Sequence, residues 1–399
     1  MYRSLKMYWI PIFYTLLFTQ GLWALKGPEH KSLRPLAMGN AFVAVVDNKE
    51  ALYYNPAGLN LINRLGNRVK RPELGFYPRN RFDMHLNFLG AALPVGTGLD
   101  IWTLYQDHDS SFSGNLEDLQ NDQTLSSDLA KFDRQPINFS AMADAEFAMH
   151  NFGGAIWTDV SIAPFLDVGI VFPQAGLEWI KADLVIQSAI AYPFYHDRLS
   201  VGLGAKLAVR QYIPTVQMSI GDLSNIQGAL TDTLNNHLEE LQDMDRLGWG
   251  TDLGVLWQQT PSLRFGAALQ NLFMRLNKES VTPELTLGLA YSPRIFQNNF
   301  RWKRKINFAL DFEDLLNDER GYKFFNKINF GGEWEQTLIP FILSGRLSAG
   351  FKGGYLTAGL GGQLFTILHY EFTTWAEEAG YYTGQKEDRY YVMKFGVGF

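Results

Sequence analysis

Among side chains able to do chemistry, the densest stretch is "QDHDSS" at 106–111, where His108 lies between Asp107 and Asp109 and two serines follow. A Ser–His–Asp arrangement needs hydroxyl, imidazole and carboxylate within hydrogen-bond reach, which neighbours on one loop do not guarantee. A solvated external loop is the simpler reading, and no enzyme activity is expected. The seven histidines show no metal-ligand spacing, and there is no HExxH or EF-hand pattern, so neither metal nor cofactor is expected. "GLGGQLF" at 359–365 is glycine-rich but lacks the lysine of a phosphate-binding loop and alternates like a strand.

The elements that carry these residues are strands. In "LSVGLGAKLAV", Leu199, Val201, Leu203, Ala205, Leu207 and Val209 share one face, opposite Gly202, Gly204, Lys206 and the following Arg210. "KINFALDFED" sets Ile306, Phe308, Leu310 and Phe312 against Asn307, Asp311 and Glu313. "KINFGGEWEQ" sets Ile328, Phe330 and Trp334 against Lys327, Asn329, Glu333 and Glu335. "LSGRLSAGFK" places Arg346 and Lys352 on its polar side. About sixteen such candidates follow Arg71, and fourteen fit nearly as well. Charged residues make up 19% and aromatics 14%, with 37 glycines. Mean hydropathy is −0.12, which excludes a helical membrane protein. An apolar outside and a polar inside suit an all-β transmembrane antiparallel barrel of about 14 strands (14–16).

Both ends suggest export. Residues 1–24 have a basic start (Arg3, Lys6), the apolar core "MYWIPIFYTLLF" and a small-residue site at Ala24, the anatomy of a signal peptide. Its removal would take the formal charge from −6 to −8, and that acidic balance argues against nucleic acid as a partner. The chain has no cysteine and hence no disulfide. At the other end, "RYYVMKFGVGF" alternates Tyr391, Met393, Phe395, Val397 and Phe399 on one face. That pattern resembles the C-terminal signal by which the barrel assembly machinery recognises bacterial outer-membrane barrels, with Phe395, Val397 and Phe399 as the signal. Connections alternate between short ones (94–98, 151–154, 195–198, 260–262, 337–340) and long ones (near 108–136, 213–247, 275–282, 314–324, 376–387), as periplasmic turns and external loops do. Trp157, Tyr192, Phe194, Tyr291, Trp302 and Trp375 near strand ends suggest aromatic girdles.

Ahead of the barrel lies "AMGNAFVAVVDNKEALYYNPAGL". Asp47 and Glu50 have capping-box spacing for a short helix near Asn48. Pro56 fits the first turn of a second helix, with Asn55 as N-cap and Gly58 to close it. This segment, followed by a barrel, resembles the FadL/TodX family of outer-membrane transporters of hydrophobic compounds, and the late segments "TPELTLGLAYSP" and "EEAGYYTGQKEDRYYVMKFGVGF" resemble a divergent branch with PorV-like and TraF-like relatives.

The resemblance implies a hatch that plugs the lumen, with Asn55, Pro56 and Ala57 matching the family's Asn-Pro-Ala and Gly39 and Asp47 lying in its approach. The expected organisation is a signal peptide at 1–24, a hatch at 25–70 and a barrel at 71–399 with a helical external loop near 214–247. The resemblance also implies uptake of hydrophobic small molecules such as long-chain fatty acids, with outer-membrane lipid as the surroundings. The alternative is a non-transporting barrel serving a secretion partner.

Leu223, Ile226, Leu230 and Leu234 recur at helical spacing, either as a groove where ligand lands or as packing on the barrel rim. Lys206 and Arg210 are candidates for a ligand carboxylate, or for ion pairs inside the lumen. Pro164, in "DVSIAPFLDVG", either interrupts a strand and marks a lateral opening, or follows a strand that ends at Ile162.

Overall fold

The computed structural model describes residues 27–62, 82–94, 102–104, 106–108, 124, 128, 138–168, 173–195, 198–213, 216–219, 247–293, 304–316, 324–339, 342–365, 367–378 and 387–398. The expected signal peptide, the groove residues Leu223, Ile226, Leu230 and Leu234, Trp302 and Phe399 lie outside the described residues.

Among the described residues, sixteen strands run in chain order: β1 (Phe82–Pro94), β2 (Phe139–Met149), β3 (Phe152–Val168), β4 (Pro173–Phe194), β5 (Leu199–Ile213), β6 (Val216–Ser219), β7 (Leu247–Gln258), β8 (Leu263–Leu276), β9 (Glu279–Ser280), β10 (Glu284–Tyr291), β11 (Arg304–Phe312), β12 (Ile328–Ile339), β13 (Leu343–Lys352), β14 (Tyr355–Leu364), β15 (Leu368–Glu378) and β16 (Glu387–Gly398). β6 and β9 are short additions at one rim, pairing β4 and β8. The other fourteen form a closed antiparallel barrel, because β1 pairs with both β2 and β16 and β8 pairs with β10. Closure joins the first and last strands of the chain to each other.

The side-chain period of two sorts the wall into two faces. Ile156, Ile186, Ile190, Leu203, Leu207, Phe308, Leu347 and Phe395 are exposed outside. Asp144, Asp183, Arg210, Asp252, Asn307, Asp311 and Glu333 are buried inside. Water on both sides would not favour such a belt, whereas lipid outside does. Turns at one rim are short, at 150–151, 195–198, 259–262, 340–342 and 365–367. Most long connections (95–138, 214–246, 313–327 and 379–386) gather at the other rim, where 169–172 is short, and the connection 292–303 is a long one at the rim of short turns. Two further connections at the long-loop rim are tight. Gly353–Gly354 and Asn277–Lys278 are two-residue hairpin turns with positive φ at both positions.

The girdle expectation needs correcting in part. Tyr192, Phe194 and Tyr291 face outward, but Trp157 and Trp375 are buried in the lumen, at 3% and 2% exposure. Both tryptophans fall on the inward phase of their strands, and proximity to a strand end does not override that phase. Trp375 stacks on Tyr390 at 5.5 Å and, with Leu33 and Leu36, belongs to an apolar cluster inside the wall.

Candidate functional site: the hatch and its seat in the lumen

Residues 27–62 lie within the barrel as short turns: a helix at Leu33–Ala37, another at Ala51–Tyr54, and a 3-10 turn at Pro56–Leu61. Phe42, Val45, Val46, Ala51, Ala57 and Leu59 are fully buried and form the principal core with inward wall residues such as Val185, Leu256 and Met274.

The Asn-Pro-Ala turn is built as its residue types require. Asn55 is extended at φ −159°, its side-chain oxygen accepts from the Ala57 amide at 3.1 Å, and Pro56 occupies the first helical position. Gly58 does not end the turn, which continues to Leu61; it stands instead against Val46, where a side chain would collide. The capping box also fails to form. The helix at Ala51–Tyr54 has no side-chain cap, and Asp47 pairs with Lys305 and, at 3.5 Å, with Arg34. Charges from the wall and the first hatch helix outcompete a local cap, since charge-assisted pairs are the stronger bonds.

Three hatch turns sit on three cross-strand glycine pairs of the wall. Asn55–Ala57 covers Gly202 and Gly254, Val43–Ala44 covers Gly266 and Gly288, and Met38–Gly39 covers Gly331 and Gly350. At Gly202 an added methyl group would overlap the Ala57 amide nitrogen. Gly39 itself has φ +68°, and its amide donates to Thr357 Oγ1 at 2.9 Å. Sequence reading missed these seats, although their signal was present as glycines on the inward phase of strands.

Wall side chains satisfy the hatch backbone. Asp311 accepts from the amides of Phe42 and Val43 at 2.6 and 2.8 Å. Thr357 and Thr373 donate to the carbonyls of Ala37 and Leu33, and Ser200 donates to that of Ala57. Charges complete the seat. Arg34 donates twice to Glu333, from Nε at 2.9 Å and from Nη2 at 2.6 Å, and lies 4.9 Å from the Phe42 ring centre. Lys49 and the Tyr53 hydroxyl both reach Glu146. Burial alone would raise the Asp47 pKa, but Lys305, Arg34 and Arg264 together hold it below the ordinary carboxylate range. His30 stacks on Tyr53 at 3.7 Å and lies 3.5 Å from Asp144. Burial lowers its pKa from 6.5 to about 4 despite Asp144, whose charge is also claimed by Lys394.

The two candidate anion-binding cations are both engaged. Arg210 forks onto Asp183 at 2.6 and 2.8 Å. Lys206 reaches Asp252 at 3.0 Å and Asn271 at 2.8 Å. Of the two, Lys206 alone lines a cavity of about 70 Å³ between wall and hatch. Trp157, Gln187, Lys206, Asp252, Asn271 and Glu284 form one side of it, and Gly27–His30 with Tyr53 and Tyr54 form the other. Its surface is mostly polar. His108 pairs with Asp128 at 3.2 Å rather than standing in a described triad, and Ser110 and Ser111 lie outside the described residues.

At Pro164 the strand does not stop. β3 runs on to Val168, still paired with β4, with a register shift between Ala163 and Pro164. Its pairing with β2 ends at Ile162 opposite Phe139. The expected stop at Ile162 is therefore a loss of one partner, which proline tolerates because it needs no donor on that side. Phe395 is exposed and Val397 half-buried on the outward face of β16.

No family model matches this chain, and no curated protein matches it in sequence. Solved structures that it is similar to include the Pseudomonas putida toluene transporter TodX, at 11% identity over 94% of this chain and 99% of that one, with a TM-score of 0.41. The TodX monoaromatic hydrocarbon channel deltaS2 mutant matches at 12% identity over 92% and 97%, with a TM-score of 0.44. The CymD monoaromatic hydrocarbon channel matches at 9% identity over 91% and 95%, with a TM-score of 0.37.

Proposed function

We propose that this protein is an outer-membrane channel for hydrophobic small molecules, long-chain fatty acids among them, with the N-terminal hatch as its gate. The observation that carries this reading is how the plug is held. Among the described residues, the hatch contributes no strand to the sheet, and wall side chains rather than a backbone ladder bind it. Such a plug can undock or rearrange while the barrel stays closed. Leu223, Ile226, Leu230 and Leu234 would capture the ligand outside, and Lys206, which lines the lumen cavity, would exchange its Asp252 partner for a ligand carboxylate. Pro164 is the candidate for a side exit. The β2-paired part of β3, residues 152–162, already has the length of a membrane-crossing strand, so that opening would lie at the outer boundary of the lipid.

A second reading has its own support. A lumen cavity of about 70 Å³ with a mostly polar lining suits a non-transporting PorV-like or TraF-like barrel, in which the hatch is a permanent filling and a secretion partner binds elsewhere. Uptake of a radiolabelled long-chain fatty acid, and of toluene, by cells with and without the protein separates the two. Faster uptake that is lost in Leu230→Asp supports the channel. Unchanged uptake of both compounds overturns it in favour of the second reading.

A further inference from the structure

The outward phase of the wall carries little charge, and what it carries sits at the ends of strands. Among the described residues, the charged side chains on that phase are Arg275, Arg304, Glu387 and Arg389, each at or near a strand end. An arginine facing lipid costs about 2–4 kcal/mol at the bilayer midplane and about 0–1 near the interfaces, so the ends are where it is tolerated. Glu387 and Arg389 pair with each other. Arg275 is exposed and has no ion pair or hydrogen bond among the described residues. It stands just before the tight turn Asn277–Lys278, at the rim of long loops and hence on the outer side of the membrane.

The backbone bulges twice to put it there. From Leu253 opposite Leu269, the β7–β8 pairing shifts to Thr251 opposite Leu272, then to Trp249 opposite Arg275. Each shift inserts one extra β8 residue. One bulge alone would send Arg275 inward, and the second restores the outward phase. Asn271 and Phe273 take positive φ of 59° and 56° in these bulges, a conformation that strains a bulky residue. Two bonds hold it in place. The Asn271 amide donates to Asp252 at 2.8 Å, and the Thr251 hydroxyl donates to the Leu272 carbonyl at 3.4 Å.

The product is an outward patch of two aromatics and one cation. Trp249, directly across from Arg275, is 54% exposed, and Phe273, two residues before it, is 64% exposed. Exposed aromatic rings of this kind settle at headgroup level. The neighbouring carboxylate, Glu279, lies opposite Leu276 on the inward phase, and Ser280 is the residue across from Arg275 on β9. Arg304, at the other rim, has Gln336 rather than an aromatic directly across.

We propose that Arg275, with Trp249 and Phe273, binds a phosphate group of an outer-leaflet lipid. The guanidinium takes two phosphate oxygens, the geometry in which arginine binds phosphate best. The acyl chains lie along the apolar belt that continues below the patch. This site is on the outside of the wall and stands whether or not the lumen passes a hydrophobic compound.

The test is native mass spectrometry of the detergent-solubilised full chain, with diphosphorylated lipid A as probe and the same lipid stripped of its phosphates as comparison. Stronger retention of the phosphorylated form is expected. Arg275→Gln should lower affinity for it about tenfold, the loss of one charge-assisted contact. Arg275→Lys should recover part of that loss, and Arg304→Gln should change nothing. Trp249→Leu should lower retention of both lipids. Equimolar pyrophosphate should not displace the lipid, which separates a lipid site from one for a free anion. Heat-modifiable migration on gels identifies folded variants, and if Trp249→Leu does not fold, Arg275→Gln decides. Equal retention of the two lipids, unchanged affinity in Arg275→Gln, an equal loss in Arg304→Gln, or displacement by equimolar pyrophosphate would each overturn the proposal.

Discussion

Asn55 joins the hatch to the barrel: its side-chain amide donates to the carbonyl of Val255 in β7 at 3.1 Å, while also reaching the hatch carbonyl of Val43 at 3.0 Å. The same side chain caps the Asn-Pro-Ala turn through its oxygen. One residue thus ends a helix, folds the hatch on itself and fastens it to the wall. Around it, Gly254 leaves space that no other residue type would leave. The hatch is therefore held by fit at glycine seats and by a small number of polar anchors.

Removing the strongest anchor should loosen the plug without opening the barrel. Arg34→Met takes from buried Glu333 its paired guanidinium and leaves the Asn307 amide, at 2.6 Å, as a donor to it; breaking a buried pair costs about 3–5 kcal/mol. Limited proteolysis should cut the hatch of the variant faster than that of the parent protein, while heat-modifiable migration of the barrel on gels is retained. Equal protection would show that Arg34 is a bystander.

Acid should loosen the hatch through His30. Its folded pKa of about 4 lies below the ordinary 6.5, so the unfolded or undocked state binds more protons between those values. The stabilisation is fully present above pH 6.5 and falls as the pH drops toward 4, by about 3 kcal/mol at 1.36 kcal/mol per unit. Asp47 responds to acid in the same direction but at lower pH: its contribution is intact above the ordinary carboxylate value of 3.8 and is lost progressively as the pH falls below it. Hatch proteolysis should therefore quicken between pH 7 and 5, and His30→Gln should flatten that dependence. A His30→Gln profile as steep as the parent's would assign the effect to other groups.

Filling a glycine seat should be worse for the hatch than for the wall. Gly254→Val puts a side chain into Asn55 and Pro56, and overpacking of this kind costs about 1–3 kcal/mol. The barrel should still form, with an unseated hatch and raised ion leakage. Leu253→Val, on the outward face one residue away, serves as the control and should leave leakage unchanged.

Much of this was readable from residue types alone. Strand alternation placed Leu203 and Phe308 outside and Asp311 and Glu333 inside, because a period of two leaves one choice once an apolar face must meet lipid. The turn at Asn55 and Pro56 was readable too, since its cap is local. What was not readable depends on partners distant in sequence. Asp47 abandons its local cap for Lys305, which is 258 residues away. Trp157 and Trp375 turn inward because strand phase, not nearness to a strand end, aims a side chain. The paired glycines become meaningful only once Gly202 and Gly254, or Gly331 and Gly350, lie opposite each other in the closed sheet.

Assembly supplies a further prediction. Phe395 and Val397 lie on the outward phase of β16, and the alternation continues to Phe399. Deleting Phe399 should lower the yield of protein inserted in the outer membrane, measured by fractionation and heat-modifiable migration. An unchanged yield and rate of insertion would remove the terminal residue from the assembly signal.

The most direct measurement is ion conductance in planar lipid bilayers, comparing the full chain with a chain lacking residues 40–60. That deletion removes the turns seated on Gly202, Gly254, Gly266 and Gly288 and leaves every barrel strand in place. If the hatch seals the lumen, the parent protein should conduct little, and the deleted form should show large, stable channels while remaining heat-modifiable. Equal conductance from the two folded proteins would contradict the account.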